Sequence, residues 1–265
     1  ELHVPAQSDV SLTAKATYYG HSVVAAANSF TWSVTGGVGT ITDSGKFTAA
    51  SVSKLTSGAI EVTYGDTTVS IPVTVSPTNP FSDTKGHWAE DYINDLYFEG
   101  TLTGSAGKDG KLLYRPDDSM TRQEFVVALM RYLGTNLDSY SSVSLPFVDT
   151  NKIGTWALDA MKAAYALGYM DGSNELGKLY GNPTATITRQ EAMVILARTQ
   201  NLGQSPDTGS LSGFSDVKKV ADWAKGPLSA MVDRKIISGS NGKLNPTGKV
   251  TRAEVAKMLW ALENQ

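Results

Sequence analysis

Thr121-Arg122-Gln123-Glu124, Thr188-Arg189-Gln190-Glu191 and Thr251-Arg252-Ala253-Glu254 are three copies of one quartet. Upstream of each stands a Phe-x-Asp and then a Trp-Ala: Phe81, Asp83 and Trp88-Ala89; Phe147, Asp149 and Trp156-Ala157; Phe214, Asp216 and Trp223-Ala224. The phenylalanines at 81, 147 and 214 set a period of 66 and then 67 residues. A repeat of this length and order points to copies of one supersecondary unit that bury a shared core together.

Each copy reads as two helices. Trp88, Tyr92, Ile93 and Leu96 recur at helical spacing, as do Trp156, Ala160, Met161 and Ala164, and Trp223, Leu228 and Met231. Pro227 is expected near the start of its helix, where a missing N–H costs nothing. Gly100 and Gly168 suit helix ends that need a left-handed residue. The second helix starts at the quartet, where Thr as N-cap and Glu three residues on form a capping box. Between the helices, a Gly/Ser/Asn-rich stretch of variable length reads as a loop.

Capping explains Thr and Glu but not the arginine, because a cation at the first helical position meets the positive end of the helix dipole. Two uses fit Arg122, Arg189 and Arg252. A guanidinium beside free N-terminal N–H groups is a receptor for a carboxylate or phosphate. The alternative is a salt bridge to a neighbouring repeat, its Phe-x-Asp aspartate included. Trp88, Trp156 and Trp223 divide in the same way between core packing and sugar stacking. Asp83, Asp149 and Asp216 read as caps or turn residues rather than acid catalysts. Gly104, Gly172 and Gly239 mark a special backbone conformation or a close approach.

Order, spacing and threefold recurrence resemble the surface-layer homology (SLH) motif over residues 79–265. The resemblance implies an all-α pseudo-threefold trimer, three helical repeats around a central three-helix bundle, with grooves between adjacent units. Its repeats would span 79–140, 141–209 and 210–265. It also implies non-covalent anchoring at the bacterial cell surface, through an anionic secondary cell-wall polysaccharide carrying ketal-linked pyruvate on N-acetylmannosamine. Carried over by position, the ligand contacts are Asp83, Trp88, Gly104 and Arg122; Asp149, Trp156, Gly172 and Arg189; and Asp216, Trp223, Gly239 and Arg252. Thr155 and Asp222 stand where the first copy has His87, and Gly226-Pro227 falls inside a helix of the third. Binding is therefore not expected to be equal at all grooves, and one shared by copies one and two, or two and three, is favoured.

Residues 1–78 differ in composition, with no arginine and only Lys15, Lys46 and Lys54 as cations. Alternating runs at 11–18, 30–34, 59–64 and 68–75 read as strands of a small antiparallel β-sandwich. Phe30-Thr31-Trp32-Ser33-Val34 and the run from Gly39 to Ala49 resemble a bacterial immunoglobulin-like (Big) module, which would put Trp32 in the core. Ser76-Pro77-Thr78-Asn79-Pro80 reads as a stiff boundary. The fold class expected is thus multidomain, an all-β module followed by an all-α one.

Over 265 residues the formal net charge is −3, with no cysteine and three scattered histidines. Generic binding to nucleic acid or an anionic membrane is disfavoured, thiol chemistry and cysteine-ligated metal are excluded, and a histidine zinc site is not indicated. No apolar run is long enough to span a membrane. We expect no cofactor, a monomeric fragment and an extracellular, wall-bound location. The start at Glu1 reads as a processed or excised segment with its main module upstream. A self-assembling surface-layer subunit and direct peptidoglycan binding are the competing readings. A glycan-active enzyme lacks a recurring nucleophile–base or acid pair.

Overall fold

The computed structural model describes residues 2–18, 21–23, 29–52, 54–202 and 207–263. It divides into two compact units, Glu1–Pro80 and Phe81–Gln265.

In the first unit a four-stranded sheet runs in the order β1(Leu2–Pro5), β9(Thr67–Ser76), β8(Thr56–Tyr64), β5(Thr31–Thr35). A second sheet orders β2(Asp9–Ser11), β7(Lys46–Ala49) and β6(Gly39–Ile41), and β3(Ala16–Tyr18) pairs with β4(His21–Val23). Only β1 and β9 pair in parallel among these strands. Period-2 alternation buries Phe47, Ile60, Val73 and Val75 around Val38. The strand expected at 11–18 falls in two, β2 ending at Ser11 and β3 starting at Ala16, and the Leu12 N–H still donates to Gly45 O (2.9 Å) in register with the β2–β7 pairing. Trp32 is half-buried and packs against the edge of the core rather than within it.

The second unit holds α1(Glu90–Phe98), α2(Arg122–Tyr132), α3(Leu158–Ala166), α4(Arg189–Thr199), α5(Asp222–Asp233) and α6(Arg252–Glu263). One core joins all three repeats, with Phe125, Leu129, Met193, Leu196, Val255 and Leu259 inaccessible to solvent. The all-α expectation is corrected here. The stretches read as loops pair as short hairpins, β10(Ser105–Ala106) with β11(Leu112–Leu113) and β12(Ser173–Glu175) with β13(Lys178–Tyr180), and as a bridge between Ser240 and Lys243. The reason is turn chemistry. Leu176-Gly177 (φ 51° and 78°) and Asn241-Gly242 (φ 49° and 68°) put both central residues in the left-handed region, as a two-residue hairpin turn requires.

Further antiparallel bridges close the repeats on one another. Met120 N–H donates to Val250 O (3.1 Å), Val250 N–H to Ile187 O (3.2 Å) and Ile187 N–H to Met120 O (3.0 Å), a cyclic chain with one link per repeat. Pro227 also departs from expectation. The helix around it starts at Asp222, so Pro227 is its sixth residue and leaves the Trp223 carbonyl without an i→i+4 donor. Helix ends behave as read at Gly100 (φ 84°) and Gly168 (φ 73°), whereas the third copy places Lys235 (φ 59°) in that conformation.

Two outcomes follow from these placements. Leu176 is fully exposed at a left-handed turn position that penalises a branched side chain. Leu176→Asn should stabilise the unit by about 1 kcal/mol, read as an increased midpoint in urea with unchanged m.

At the α1–α6 contact, burial and the nearby Glu263 and Asp95 push the Glu99 carboxyl up to about 6. Burial also raises Asp95, against the opposing hydrogen bond from Trp260. A raised carboxyl contributes stability below its unfolded value and loses it as pH rises through the folded value. Melting temperature should therefore fall between about pH 5 and pH 7. In Glu99→Gln most of that fall should vanish, with a gain of about 1–2 °C at pH 7 given the exposure of the site.

Candidate functional site

The three Phe-x-Asp aspartates act on the backbone. Asp83 accepts N–H bonds from Tyr114 (2.9 Å) and Arg115 (2.7 Å), Asp149 from Gly181 (2.8 Å) and Asn182 (2.9 Å), and Asp216 from Leu244 (2.9 Å) and Asn245 (2.8 Å). Arg115, Asn182 and Asn245 are left-handed, at φ 58°, 49° and 51°. Burial opposes ionisation of Asp216, but the N–H groups of Leu244 and Asn245 outweigh it and lower its pKa.

Each pinned residue precedes a proline whose carbonyl reaches the first turn of a neighbouring quartet helix. Gln123 N–H donates to Pro183 O (3.0 Å), Gln190 N–H to Pro246 O (2.9 Å) and Ala253 N–H to Pro116 O (2.9 Å). The arginine N–H groups are engaged too, Arg122 with Ala185 O, Arg189 with Gly248 O and Arg252 with Asp118 O. The capping boxes take the next donors, with Glu124, Glu191 and Glu254 N–H bonding to Thr121, Thr188 and Thr251 Oγ1. The free helix N-terminus expected beside the arginine is therefore closed by protein.

The arginines are not equivalent. Arg122 pairs with Glu191, and Arg189 Nη1 pairs with Glu254 Oε1 at 2.7 Å. In both, the partner is the capping-box glutamate of the next repeat, not a Phe-x-Asp aspartate. That glutamate divides its oxygens, since Glu191 Oε2 accepts from Thr188 while Oε1 takes the guanidinium. Burial disfavours its charge, but Arg122 and Thr188 more than compensate and lower its pKa. A charge-assisted hydrogen bond worth about 1.5–3 kcal/mol exceeds the 0.3–1 kcal/mol dipole cost of the cation. Arg252 is held otherwise. Its Nε and Nη2 donate to Tyr114 O (2.7 Å) and Thr103 O (2.9 Å), and it lies over the Tyr114 ring, 4.5 Å from its centroid. Burial pushes the Tyr114 phenol up to about 12, with Arg252 opposing, and the neutral hydroxyl donates to Arg252 O at 3.0 Å.

Trp88, Trp156 and Trp223 are exposed by 56, 58 and 56%, so core packing is not their use. Gly104, Gly172 and Gly239 lie against the repeat's own phenylalanine. A Cβ would come within 2.5 Å of Phe81, 2.6 Å of Phe147 and 2.7 Å of Phe214.

These residues come together in three grooves of about 310, 380 and 270 Å³. The first groove joins Gly104, Arg252 and Trp156, the second Gly172, Arg122 and Trp223, and the third Gly239, Arg189 and Trp88. Every groove thus takes its glycine, arginine and tryptophan from three different repeats, not from the adjacent pair expected. Asp83, Asp149 and Asp216 line none of the three and stand behind them.

Sequence reasoning passed over several residues that shape the grooves. Gln123 Oε1 accepts from Gly154 N–H (2.9 Å) and Gln190 Oε1 from Ala221 N–H (3.1 Å), tying down the loops that carry Trp156 and Trp223. Arg131 and Arg198 line the first and second grooves. Both follow a quartet arginine by nine residues, a recurrence legible in two of the three copies. Among the described residues no group of three or more His, Asp or Glu could hold a metal, and no helix is long and apolar enough to cross a membrane.

Asp149 is buried and anchors two backbone donors, so Asp149→Ala should cost about 3 kcal/mol, or roughly 6–12 °C of melting temperature. Trp156→Ala should leave melting within about 2 °C, because its ring is exposed. Calorimetry on both variants checks the contrast.

The S-layer homology domain family matches residues 80–126, 146–175 and 213–256. Over 185 residues, 69% of this chain, the sequence is 30% identical to an amylopullulanase of Thermoanaerobacterium thermosulfurigenes, of which that stretch is 9%. It is 29% identical over the same length to the exoglucanase XynX of Acetivibrio thermocellus, covering 16% of that protein. It is 28% identical over 174 residues, 66% of this chain, to S-layer protein EA1 of Bacillus anthracis, covering 19% of it. The chain thus matches a tenth to a fifth of the length of these relatives. The second unit of this chain carries a triplet of S-layer homology domains.

Proposed function

We propose that the second unit anchors its protein to the bacterial cell wall by binding an anionic, pyruvylated wall polysaccharide in the three grooves. The observation that carries this reading is the recurrence, in each groove, of an exposed indole beside a guanidinium and a glycine packed against its repeat's phenylalanine. An indole face takes a sugar ring, and a guanidinium takes a carboxylate in a two-pronged hydrogen bond. Trp88, Trp156 and Trp223, with Arg122, Arg189 and Arg252, are the contacts, and Gly104, Gly172 and Gly239 shape the floor. Asp83, Asp149 and Asp216 act as positioning residues. Repeats spanning 79–140, 141–209 and 210–265 are the units we assign.

The relatives support this reading by their variety. Two proteins named as an amylopullulanase and an exoglucanase and one named as an S-layer protein share the segment, which makes up 9, 16 and 19% of their length. A shared segment on dissimilar proteins suits a common attachment task rather than a common reaction, and the location that follows is the outer surface of the cell.

The test is co-sedimentation of residues 1–265 with purified wall sacculi before and after acid removal of the secondary polymer. Binding should fall at least tenfold on stripped walls. Equal binding to stripped walls would assign the grooves to peptidoglycan.

A further inference from the structure

The three grooves differ in how many of their cations are already neutralised. In the second groove Arg122 pairs with Glu191 and Arg198 pairs with Asp171 at 2.6 Å. In the third, Arg189 is held by Glu254, and Lys257 sits over the Trp88 ring, 5.9 Å from its centroid. The first groove is lined by Arg115, Arg131 and Arg252, and none of them forms an ion pair among the described residues. Their partners are neutral: Ser105 for Arg115, Thr103 Oγ1 for Arg131 (3.3 Å), and the carbonyls of Tyr114 and Thr103 for Arg252. Two acids, Asp118 and Glu124, also line it, and Glu124 is engaged by Thr121 through Oε2.

This imbalance has causes in the sequence. Arg115 occupies the left-handed position that holds Asn182 and Asn245 in the other copies, and a bulkier non-glycine residue there is strained. Tyr114 stands where the other copies have Gly181 and Leu244, and its ring and carbonyl draw Arg252 toward them. Thr103 stands where the second copy has Asp171, so Arg131 meets a hydroxyl where Arg198 meets a carboxylate. The tryptophan of this groove is also held in place: Gln123 fixes Gly154, and a Cβ on Gly154 would lie 2.5 Å from Trp156 Nε1, so the indole rests on that glycine.

We infer that the groove formed by Gly104, Arg115, Arg131, Arg252 and Trp156 is the primary seat for the anionic group of the glycan. The other two grooves are secondary, because an incoming anion there must displace a protein carboxylate from its arginine. The inference rests on the reading that the grooves bind an anionic wall glycan.

The experiment is titration of residues 1–265 with ketal-pyruvylated N-acetylmannosamine, its neutral methyl ester and N-acetylmannosamine 6-phosphate. It is followed by the indole N–H resonances of the three groove tryptophans and by calorimetry. The Trp156 resonance should move first, and the neutral ester should bind at least tenfold more weakly. Arg115→Asn installs the residue the other copies use, so the fold is preserved, and it should weaken binding about tenfold. Arg122→Ala and Arg189→Ala should each weaken it less than threefold, and Asp171→Thr should strengthen binding at the Trp223 groove.

A tighter phosphate arm with the same Arg115 dependence keeps the seat and changes the anion. Equal losses for Arg115→Asn, Arg122→Ala and Arg189→Ala, or first movement at Trp88 or Trp223, would overturn the hierarchy while leaving anchoring intact. Absence of binding to every anionic sugar by the parent protein would overturn both.

Discussion

Everything in the repeat unit depends on where the first-turn N–H groups of the three quartet helices go. A helix start leaves donors that its own backbone cannot satisfy. Here they are met by carbonyls of a neighbouring repeat: Ala185 and Pro183 for α2, Gly248 and Pro246 for α4, Asp118 and Pro116 for α6. An unmet buried donor costs about 1–3 kcal/mol, so a repeat taken alone would expose or strand its helix start. The cyclic bridge through Met120, Ile187 and Val250 closes the same seam from the other side.

That constraint explains why the remaining residues recur. A carbonyl can serve a neighbour only if its loop is held still, and the Phe-x-Asp aspartates hold it by gripping two consecutive N–H groups. The phenylalanine two residues before each aspartate packs against the glycine that opens the hairpin or bridge. Recurrence of this kind is a signature of folding. On the side that folding leaves open, indoles more than half exposed line the grooves together with guanidiniums.

The seams fix the backbone at the three quartet-helix starts, so the charges that distinguish the grooves come from side chains. Tyr114, Arg115 and Thr103 alter the first groove without disturbing the loop that Asp83 holds, and Asp171 and Lys257 alter the other two. Small substitutions on a common frame thus change the charge that lines each groove, while the packing beneath stays the same.

The sequence by itself determined the repeat, its period, the capping boxes and the stripes that bury Ile93, Leu129, Leu196 and Leu259, because these are local or periodic properties of the chain. It also contained the Asn241-Gly242 turn, which was legible as a hairpin signal but was submerged in a stretch of variable length. Only the tertiary structure decided that this unit is mixed rather than all-helical, that Pro227 lies in the sixth position of α5, and that each groove is built from three repeats. It also supplied the protein partners of the arginines, which local reasoning left open. Arg122 and Arg189 meet a glutamate 69 and 65 residues away, whereas Arg252 meets carbonyls 138 and 149 residues away. Partners at such separations are set by how the repeats close on one another, and no local pattern encodes that.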